Sequence, residues 1–255
     1  MEKMKIELFH IGPLTIYGYG LMIALGILAA FSTSMTRAKR KGMDTDALFN
    51  MGLIGIACGL VGAKLLYYVV EFPSIWKDPS QLLQLNEGFV VYGGLVAGFA
   101  SPYLYARIKK LEFWRYLDVT VAGVALAQGF GRIGCFLAGC CYGMETDSWF
   151  GVVFPEGSLA PAGVRLIPTQ LISSVGDFLF AVILMAAERK NKKPGMVSGL
   201  YLVLYSVGRF LIEFLRDDPR GSIGMLSTSQ FIALFTCALG AAVMAWSGWK
   251  VQKEK

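Results

Sequence analysis

The chain has few charged residues and almost no histidine. Only 16% of its 255 residues are Asp, Glu, Lys or Arg, and its one histidine is His10. A hydrophobic content of 55% excludes an ordinary soluble domain, in which charged residues make up about a quarter of the chain. The sequence contains no nucleic-acid-binding motif, so its net charge of +6 does not indicate a nucleic-acid partner. This composition is typical of a membrane protein.

Cysteine is also scarce, and the five that occur do not form the pattern of a disulfide framework. Cys58 and Cys237 lie in the middle of apolar runs, where a cysteine acts as a small apolar residue. Cys135, Cys140 and Cys141 form a cluster with three open interpretations. In the first, they are small residues in a tight glycine-rich segment. In the second, Cys135 forms a disulfide with Cys140 or Cys141. In the third, they form a reactive-thiol or soft-metal site.

Seven apolar segments are long enough to cross a membrane, whose hydrocarbon core needs about 20 helical residues. We therefore predict an all-α polytopic membrane protein with seven transmembrane helices in a single domain over residues 1–255. The predicted spans lie near residues 13–36, 48–70, 89–106, 116–142, 168–187, 197–215 and 228–248. The first span is not a cleavable signal peptide, because a basic block follows it without a preceding small-residue cleavage site.

The basic residues predict the orientation of the chain. Of the 24 Lys and Arg residues, 15 follow the first, third, fifth and seventh spans, and six lie on the opposite side. Because basic loops remain in the cytoplasm, we expect the N-terminus outside and the C-terminus in the cytoplasm. The net charge then reflects topology and attraction to anionic headgroups.

Two arginines lie within predicted spans and keep their charge at any ordinary pH. Arg132 stands in an apolar, glycine-rich stretch, and Arg209 shares a helical face with Tyr205 and Glu213. An ionisable group at this depth costs roughly 2.5–3.5 kcal/mol on insertion scales, so each needs a partner. One glutamate cannot neutralise two guanidiniums, which favours an anion such as a phosphate. Asp177, in the fifth span, is the alternative source of negative charge.

Two other charged residues within the spans have simpler explanations. Lys64 lies near the outer end of the second span, and we expect it to extend towards the headgroups or to pair with Glu71. Asp118 lies near the start of the fourth span, where the partial positive charge of the helix N-terminus favours an acid.

Several motifs follow one another along nearly the whole chain. They are Ile11-Gly-Pro-Leu with Tyr19, Tyr92-Gly93-Gly94-Leu95, Gly131-Arg132-Ile-Gly134-Cys135-Phe136 with Gly139 and Gly143, Pro168-Thr-Gln170-Leu171, and Tyr205 with Arg209, Glu213 and Arg216. In this order they resemble the motifs of the bacterial prolipoprotein diacylglyceryl transferase family. The predicted seven spans with an outer N-terminus are also similar to that family.

The resemblance implies a reaction. Members of the family move the diacylglyceryl group of phosphatidylglycerol to the lipobox cysteine thiol of a preprolipoprotein, form a thioether and release glycerol phosphate. It implies phosphatidylglycerol, the preprolipoprotein signal peptide and the lipid bilayer as partners, with no nucleic acid and no metal or organic cofactor. It also implies a multi-pass protein of the bacterial plasma (inner) membrane, in which segment 143–167 guides the signal peptide.

The matched positions define the predicted site. Arg132 and Arg209 would hold the donor phosphate and act in catalysis together with Tyr92. The substrate-binding residues implied by the resemblance are Tyr19, Gly93, Gly94, Arg132, Cys135, Gly143, Tyr205, Arg209 and Glu213. We expect the cavity to lie between spans one, three, four and six.

The chain departs from the family pattern at positions that are expected to carry the chemistry. Tyr92 replaces the motif histidine, Cys135 an asparagine, Cys140 a glutamate and Ile167 a second histidine. A tyrosine has a pKa of about 10 and is a poor base at neutral pH. Three accounts stay open: the family reaction with Tyr92 in place of the histidine, a paralogous phospholipid-headgroup transferase with another acceptor, and a non-catalytic protein that binds or transports a lipid or anion.

Overall fold

Helices make up most of the protein. The computed structural model describes residues 7–11, 14–83, 88–191, 193–218, 221–224 and 226–253. The α-helices in these ranges are α1 (Gly18–Arg40), α2 (Thr45–Val70), α3 (Phe72–Lys77), α4 (Val91–Ile108), α5 (Phe113–Ala138), α6 (Thr169–Lys190), α7 (Met196–Ile212) and α8 (Thr228–Lys253). Short 3-10 turns occupy Pro79–Leu83 and Glu213–Leu215.

Three small antiparallel hairpins accompany the helices. They pair β1 (Glu7–Ile11) with β2 (Leu14–Tyr17), β3 (Val152–Val153) with β4 (Arg165–Leu166), and β5 (Ser222–Ile223) with β6 (Leu226–Ser227). The first predicted span was placed from residue 13, and this boundary was wrong, because α1 begins at Gly18 after β2. The run before Gly18 is apolar but consists mainly of β-branched and aromatic residues, which favour a strand.

Six helical segments are long and apolar enough to cross a membrane. Within the described ranges they are α1, α2, α5, α6, α8 and Met196–Leu215, which joins α7 to its 3-10 turn. A polytopic, predominantly helical membrane protein is therefore confirmed. The third predicted span corresponds to α4, which has 18 residues and contains Pro102 and Arg107. It is not among the six, so the seventh span stays a prediction.

The outer surfaces of these helices are apolar. On α8, Leu234, Phe235 and Leu239 are 50%, 63% and 56% exposed. Comparable side chains project from α2 and α6, where Leu60 and Val175 are mostly exposed. A soluble protein rarely displays such extended apolar surfaces, whereas contact with lipid favours them.

The chain divides into two compact units. One consists of residues 35–116, and the other consists of residues 1–34 and 117–255. This division leaves the prediction of one functional domain over residues 1–255 untested.

In the unit formed by residues 35–116, α2 and α4 approach each other through glycines. A Cβ atom on Gly62 would meet the carbonyl oxygen of Gly93 at 2.6 Å, and one on Gly94 would meet the carbonyl oxygen of Gly59 at 3.2 Å. Small residues permit this backbone contact between membrane helices. Gly93 and Gly94 thus have a packing role, and their predicted part in substrate binding stays a prediction.

Aromatic rings in the same unit surround the buried lysine of α2. The Lys64 ammonium lies 4.9 Å from the ring centre of Tyr67, 5.1 Å from that of Tyr68 and 5.3 Å from that of Phe89. Cation–π attraction is strongest for a desolvated cation, so these rings help to accommodate a charge within an apolar helix.

The core of the other unit lies between α5, α6 and α7. It consists of Val121, Ala122, Ala125, Ala181, Leu184 and Val197. Small residues on α5 let α6 approach closely, and the Ser174 hydroxyl donates a hydrogen bond of 2.9 Å to the Gly129 carbonyl. This packing fixes the helices that carry Arg132, Asp177 and Arg209.

Asp118 caps α7 and not its own helix. One carboxylate oxygen accepts hydrogen bonds from the Ser198 amide at 2.8 Å and from its hydroxyl at 2.6 Å, and the other accepts from the Gly195 amide at 2.8 Å. Asp118 lies near the start of its helix, as predicted, but beyond the first turn of α5, which begins at Phe113. The predicted stabilisation of its own helix N-terminus was wrong, because the carboxylate binds the start of α7.

We expect Asp118→Ala to lower the free energy of unfolding by about 2 kcal/mol, because the variant leaves the first amides of α7 without an acceptor. Thermal unfolding of the detergent-solubilised protein measures the effect. Asp46→Ala is the matched control, since Asp46 is exposed in the first turn of α2. Equal shifts in the two variants would refute the capping role.

Candidate functional site

A cavity of about 250 Å³ lies between α5, α6 and α7. Its volume is close to that of the smallest typical ligand pockets, roughly 300 Å³. The lining residues are Arg132, Ile172, Ser173, Gly176, Asp177, Phe180, Tyr205, Gly208, Arg209, Leu211, Ile212 and Leu215. Spans four and six line the cavity as predicted. The predicted set of helices was wrong in part, because the fifth span lines the cavity and none of the lining residues belongs to span one. The part of span three stays a prediction, since α4 belongs to the other compact unit.

Arg209 holds two fixed partners at the cavity wall. One terminal nitrogen lies 2.8 Å from a carboxylate oxygen of the buried Glu213, and the other donates a 2.8 Å hydrogen bond to the Ser229 hydroxyl. The first nitrogen is not aligned for a hydrogen bond to Glu213, so this contact is an ion pair. The pairing predicted from the spacing of four is present, and it fixes the direction of the guanidinium.

Arg132 lines the same cavity without such a fixed partner. It is close enough to Tyr205 and Asp177 to interact with both electrostatically. In the described part of the chain, however, its guanidinium makes no salt bridge and no hydrogen bond. A guanidinium in an apolar protein wall needs an anion or water, so Arg132 is available to a negatively charged ligand.

Asp177 is the cavity residue that the sequence left without a role. It lies on α6, is 6% exposed and reaches the cavity between its helix and α5. Among the residues that the structure describes, its carboxylate has no hydrogen-bond or salt-bridge partner. The sequence signal was only an acid at mid-span, which gave no partner and no direction.

Asp177 changes the charge balance inferred from the sequence. Arg132 and Arg209 contribute two positive charges, while Asp177 and Glu213 contribute two negative charges, so the four groups have no formal excess charge. The inferred excess of positive charge was therefore wrong. The difference lies in the geometry: Glu213 is bound to Arg209, whereas Arg132 and Asp177 have no hydrogen bond or salt bridge to any residue that the structure describes.

Stacked tyrosines place Tyr205 near both arginines. The rings of Tyr201 and Tyr205 are 6.0 Å apart at an angle of 24°, and the Tyr201 hydroxyl donates a 3.0 Å hydrogen bond to the Gln128 side chain. This hydrogen bond connects α7 with α5. Tyr205 interacts electrostatically with Arg132 and with Arg209 and lines the same cavity.

Tyr19, in the first turn of α1, lies against α5 near Arg132. A Cβ atom on Gly134 would stand 3.0 Å from the Tyr19 ring, so the glycine makes room for the tyrosine. The Tyr19 side chain is 45% exposed and interacts electrostatically with Arg132 and Cys135. Its predicted contact with the lipid headgroup stays a prediction.

The three clustered cysteines lie just beyond Arg132, at the end of α5. They are free thiols, and their sulfur atoms all lie within 4.8 Å of one another. Hydrogen bonds hold the backbone of the cluster. Thr169 donates to the Cys141 carbonyl at 2.8 Å, and Gln170 donates to the Cys140 carbonyl at 2.7 Å.

Gly143 follows the cysteines in a crowded strand-like segment. Its amide donates a 2.9 Å hydrogen bond to the Ile167 carbonyl, and a Cβ atom would stand 2.6 Å from the Leu215 carbonyl oxygen. Gly143 also pairs with Arg216, whose guanidinium binds Asp218 through two hydrogen bonds of 2.9 and 3.0 Å. Packing alone requires a glycine here, and its role in substrate binding stays a prediction.

Comparison with known sequences decides the family. The prolipoprotein diacylglyceryl transferase profile matches residues 6–246. The chain belongs to this family. A phosphatidylglycerol–prolipoprotein diacylglyceryl transferase of Clostridium tetani is 51% identical over 240 residues, which cover 94% of this chain and 96% of the relative. A second such protein, from Clostridium perfringens, is 45% identical over 252 residues, which cover 98% of each chain.

The predicted residues of this diacylglyceryl transferase family member lie in both compact units. Arg132, Tyr205 and Arg209 surround the cavity, with Glu213 bound to Arg209. Tyr92 belongs to the unit of residues 35–116, where it lies in the first turn of α4 and is 52% exposed. Its predicted part in proton transfer stays a prediction.

Proposed function

We propose that this chain transfers the diacylglyceryl group of phosphatidylglycerol to the lipobox cysteine of a prolipoprotein. The phosphatidylglycerol–prolipoprotein diacylglyceryl transferase of Clostridium tetani, with 51% identity over 94% of this chain, supports the assignment. The observation that carries it in the structure is the unpaired guanidinium of Arg132 in a cavity shared with Arg209. This arrangement suits the phosphate of an anionic lipid better than it suits a neutral ligand.

The phosphate is the group that Arg132 and Arg209 bind in this proposal. As the thiol sulfur attacks the glycerol carbon, a carbon–sulfur bond forms, the carbon–oxygen bond to the phosphate breaks, and glycerol phosphate leaves. Negative charge accumulates on the leaving phosphate. Arg209, oriented in advance by Glu213 and Ser229, and the unpaired guanidinium of Arg132 stabilise this charge more strongly than water does. Glu213 orients Arg209, and Tyr19 and Tyr205 bind the headgroup.

The acceptor thiol must lose a proton, and we propose that Asp177 is the general base that accepts it. A free cysteine thiol has a pKa of about 8.5 and is mostly protonated at neutral pH. Asp177 is buried in the wall of the cavity that contains Arg132, and no described residue forms a hydrogen bond or salt bridge with its carboxylate. A general base in the cavity removes the need for the family's motif histidine. The proposed reaction requires no metal and no organic cofactor.

Tyr92 is the second candidate for proton transfer, because it occupies the motif histidine position. We expect Tyr92→Phe to lower kcat by about tenfold, since the variant loses one hydroxyl but keeps the ring and the carboxylate base. Tyr103→Phe on the same helix is the matched control. Complete loss of turnover in Tyr92→Phe, with full activity in a variant of Asp177, would transfer the base role to Tyr92.

We further propose seven spans, with α4 as the third, an outer N-terminus and a cytoplasmic C-terminus in the plasma (inner) membrane. The basic residues support this arrangement, because 15 of 24 follow alternate spans. In this orientation segment 143–167 faces outwards, where Trp149 is 90% exposed and suited to contact a signal peptide. Residues 1–255 would act as one transferase domain.

Donor selectivity in vesicles tests the function. The purified chain is incubated with a lipobox peptide in vesicles that contain phosphatidylglycerol or, as a control, only phosphatidylcholine. We expect a thioether-linked diacylglyceryl peptide by mass spectrometry with phosphatidylglycerol alone. A peptide whose lipobox cysteine is replaced by serine controls for the acceptor. Headgroup release without peptide modification would favour a paralogous transferase with another acceptor, and binding without turnover would favour the non-catalytic alternative.

A further inference from the structure

The clustered thiols of Cys135, Cys140 and Cys141 have a geometry that the transfer reaction does not use. Their sulfur atoms lie within 4.8 Å of one another, and each side chain is partly exposed. Three sulfurs at a typical metal–thiolate distance of 2.3 Å from one ion are separated by about 4 Å. The observed grouping therefore needs only a small side-chain adjustment to surround a metal ion.

The backbone holds these sulfurs together before any ion binds. The Cys140 amide donates a 3.1 Å hydrogen bond to the Cys135 carbonyl, which closes the end of α5. Thr169 and Gln170, both about 1% exposed, fix the next two carbonyls. Cys141 adopts a left-handed backbone with φ of 64°, which is costly for a residue with a side chain and directs its thiol towards the group.

The charged surroundings suit a thiolate-bound cation. Three thiolates and a divalent cation have a net charge of −1. Arg132 interacts electrostatically with Cys135 and Cys141, and its guanidinium has no fixed partner in the described part of the chain. Arg216 lies beside Cys141 as well, although it is bound to Asp218. Nearby cations of this kind favour deprotonated thiols.

We propose that Cys135, Cys140 and Cys141 form a three-thiolate binding site for a soft metal ion. Thiolate ligands select soft and borderline ions such as Cu⁺ and Zn²⁺ over Mg²⁺ and Ca²⁺. The group contains three sulfurs and no histidine or carboxylate. It therefore favours an ion that is stable with three protein ligands, or with three protein ligands and one water molecule. None of the three cysteines lines the phosphate cavity, although Arg132 borders both sites. Binding of a metal ion by the thiols does not depend on the proposed transfer function.

Cadmium titration of a cysteine-depleted chain tests the site. The double variant Cys58→Ser/Cys237→Ser removes the two cysteines outside the cluster and leaves only the three proposed ligands. After reduction and removal of the reductant without oxygen, Cd²⁺ is added and the cadmium–thiolate charge-transfer absorption is followed. We expect one Cd²⁺ per chain in the wild type and in the double variant, with no response to Mg²⁺.

Single substitutions then locate the ligands. We expect Cys135→Ser, Cys140→Ser and Cys141→Ser each to weaken Cd²⁺ binding at least about tenfold, while tryptophan fluorescence and elution volume confirm that the variants fold. Absence of the absorption band in the double variant would overturn the proposal, even if a single variant failed to fold. A stable disulfide from Cys135 to either neighbour in the isolated protein, detected by mass spectrometry, would overturn it as well.

Discussion

Replacement of Arg132 by alanine is expected to lower kcat/KM for phosphatidylglycerol by about 10²–10³-fold. Its guanidinium has no fixed partner among the described residues, so it contributes most once the phosphate is present. Removal of one hydrogen-bond donor that stabilises a developing negative charge typically costs this much. The rate of thioether formation at several lipid fractions in vesicles measures the loss.

Two further variants separate the charge of Arg132 from its shape. Arg132→Lys keeps the charge but loses the paired hydrogen bonds of the guanidinium, and we expect an intermediate rate. Arg115→Ala is the matched control on the same helix, because its side chain is 60% exposed and pairs with Glu112 at the surface. Wild-type activity in Arg132→Ala would contradict the phosphate-binding role.

Asp177→Asn is the second variant with a large expected effect, a fall in kcat of about 10²–10⁴-fold. The asparagine keeps the size of the side chain but cannot accept the proton of the acceptor thiol. Because the variant also removes a negative charge beside Arg132, we expect KM for phosphatidylglycerol to stay unchanged or to fall. Separate determination of kcat and KM in the vesicle assay measures both effects.

The split between kcat and KM distinguishes two roles of Asp177. A carboxylate that only balances the charge of Arg132 would give a lower KM with an unchanged kcat, and that result would refute the base role. Asp177→Glu keeps the carboxylate and should retain part of the turnover. Asp46→Asn, an exposed acid in the first turn of α2, serves as the control for a general loss of negative charge.

Local patterns in the sequence predicted the parts of this structure that depend on near neighbours. Apolar runs located the six helices that are able to span a membrane, and the spacing of four predicted the pair of Arg209 and Glu213. Helical periodicity fixes such contacts within one or two turns. The family could also be predicted, because its motifs are short and keep their order.

Contacts between distant segments could not be predicted in the same way. Asp118 binds amides of Gly195 and Ser198, 77 and 80 residues further along the chain, and no local pattern joins them. The place of Asp177 in the cavity depends on the rotation of α6 against α5, which a single mid-span acid does not determine. The sequence therefore predicted two arginines and a glutamate of the site but left its fourth charged group unassigned.

Glycine positions show a different limit of sequence reasoning. Glycines 93 and 94 lie in a motif shared with the family, and they were predicted to let lipid approach the backbone. In the structure they bring α4 against Gly62 and Gly59 of α2. A sequence indicates that a Cβ atom is absent, but only the packed structure shows what occupies the space.

The most direct test of the proposed function is the product balance in a single reaction. Purified wild-type chain in phosphatidylglycerol vesicles is given a lipobox peptide, and thioether product and glycerol phosphate are quantified in the same samples over time. The proposed mechanism predicts that the two products appear in equal amounts and are lost together in Arg132→Ala. Glycerol phosphate release without thioether formation, or no release at all from the folded wild-type protein, would contradict it.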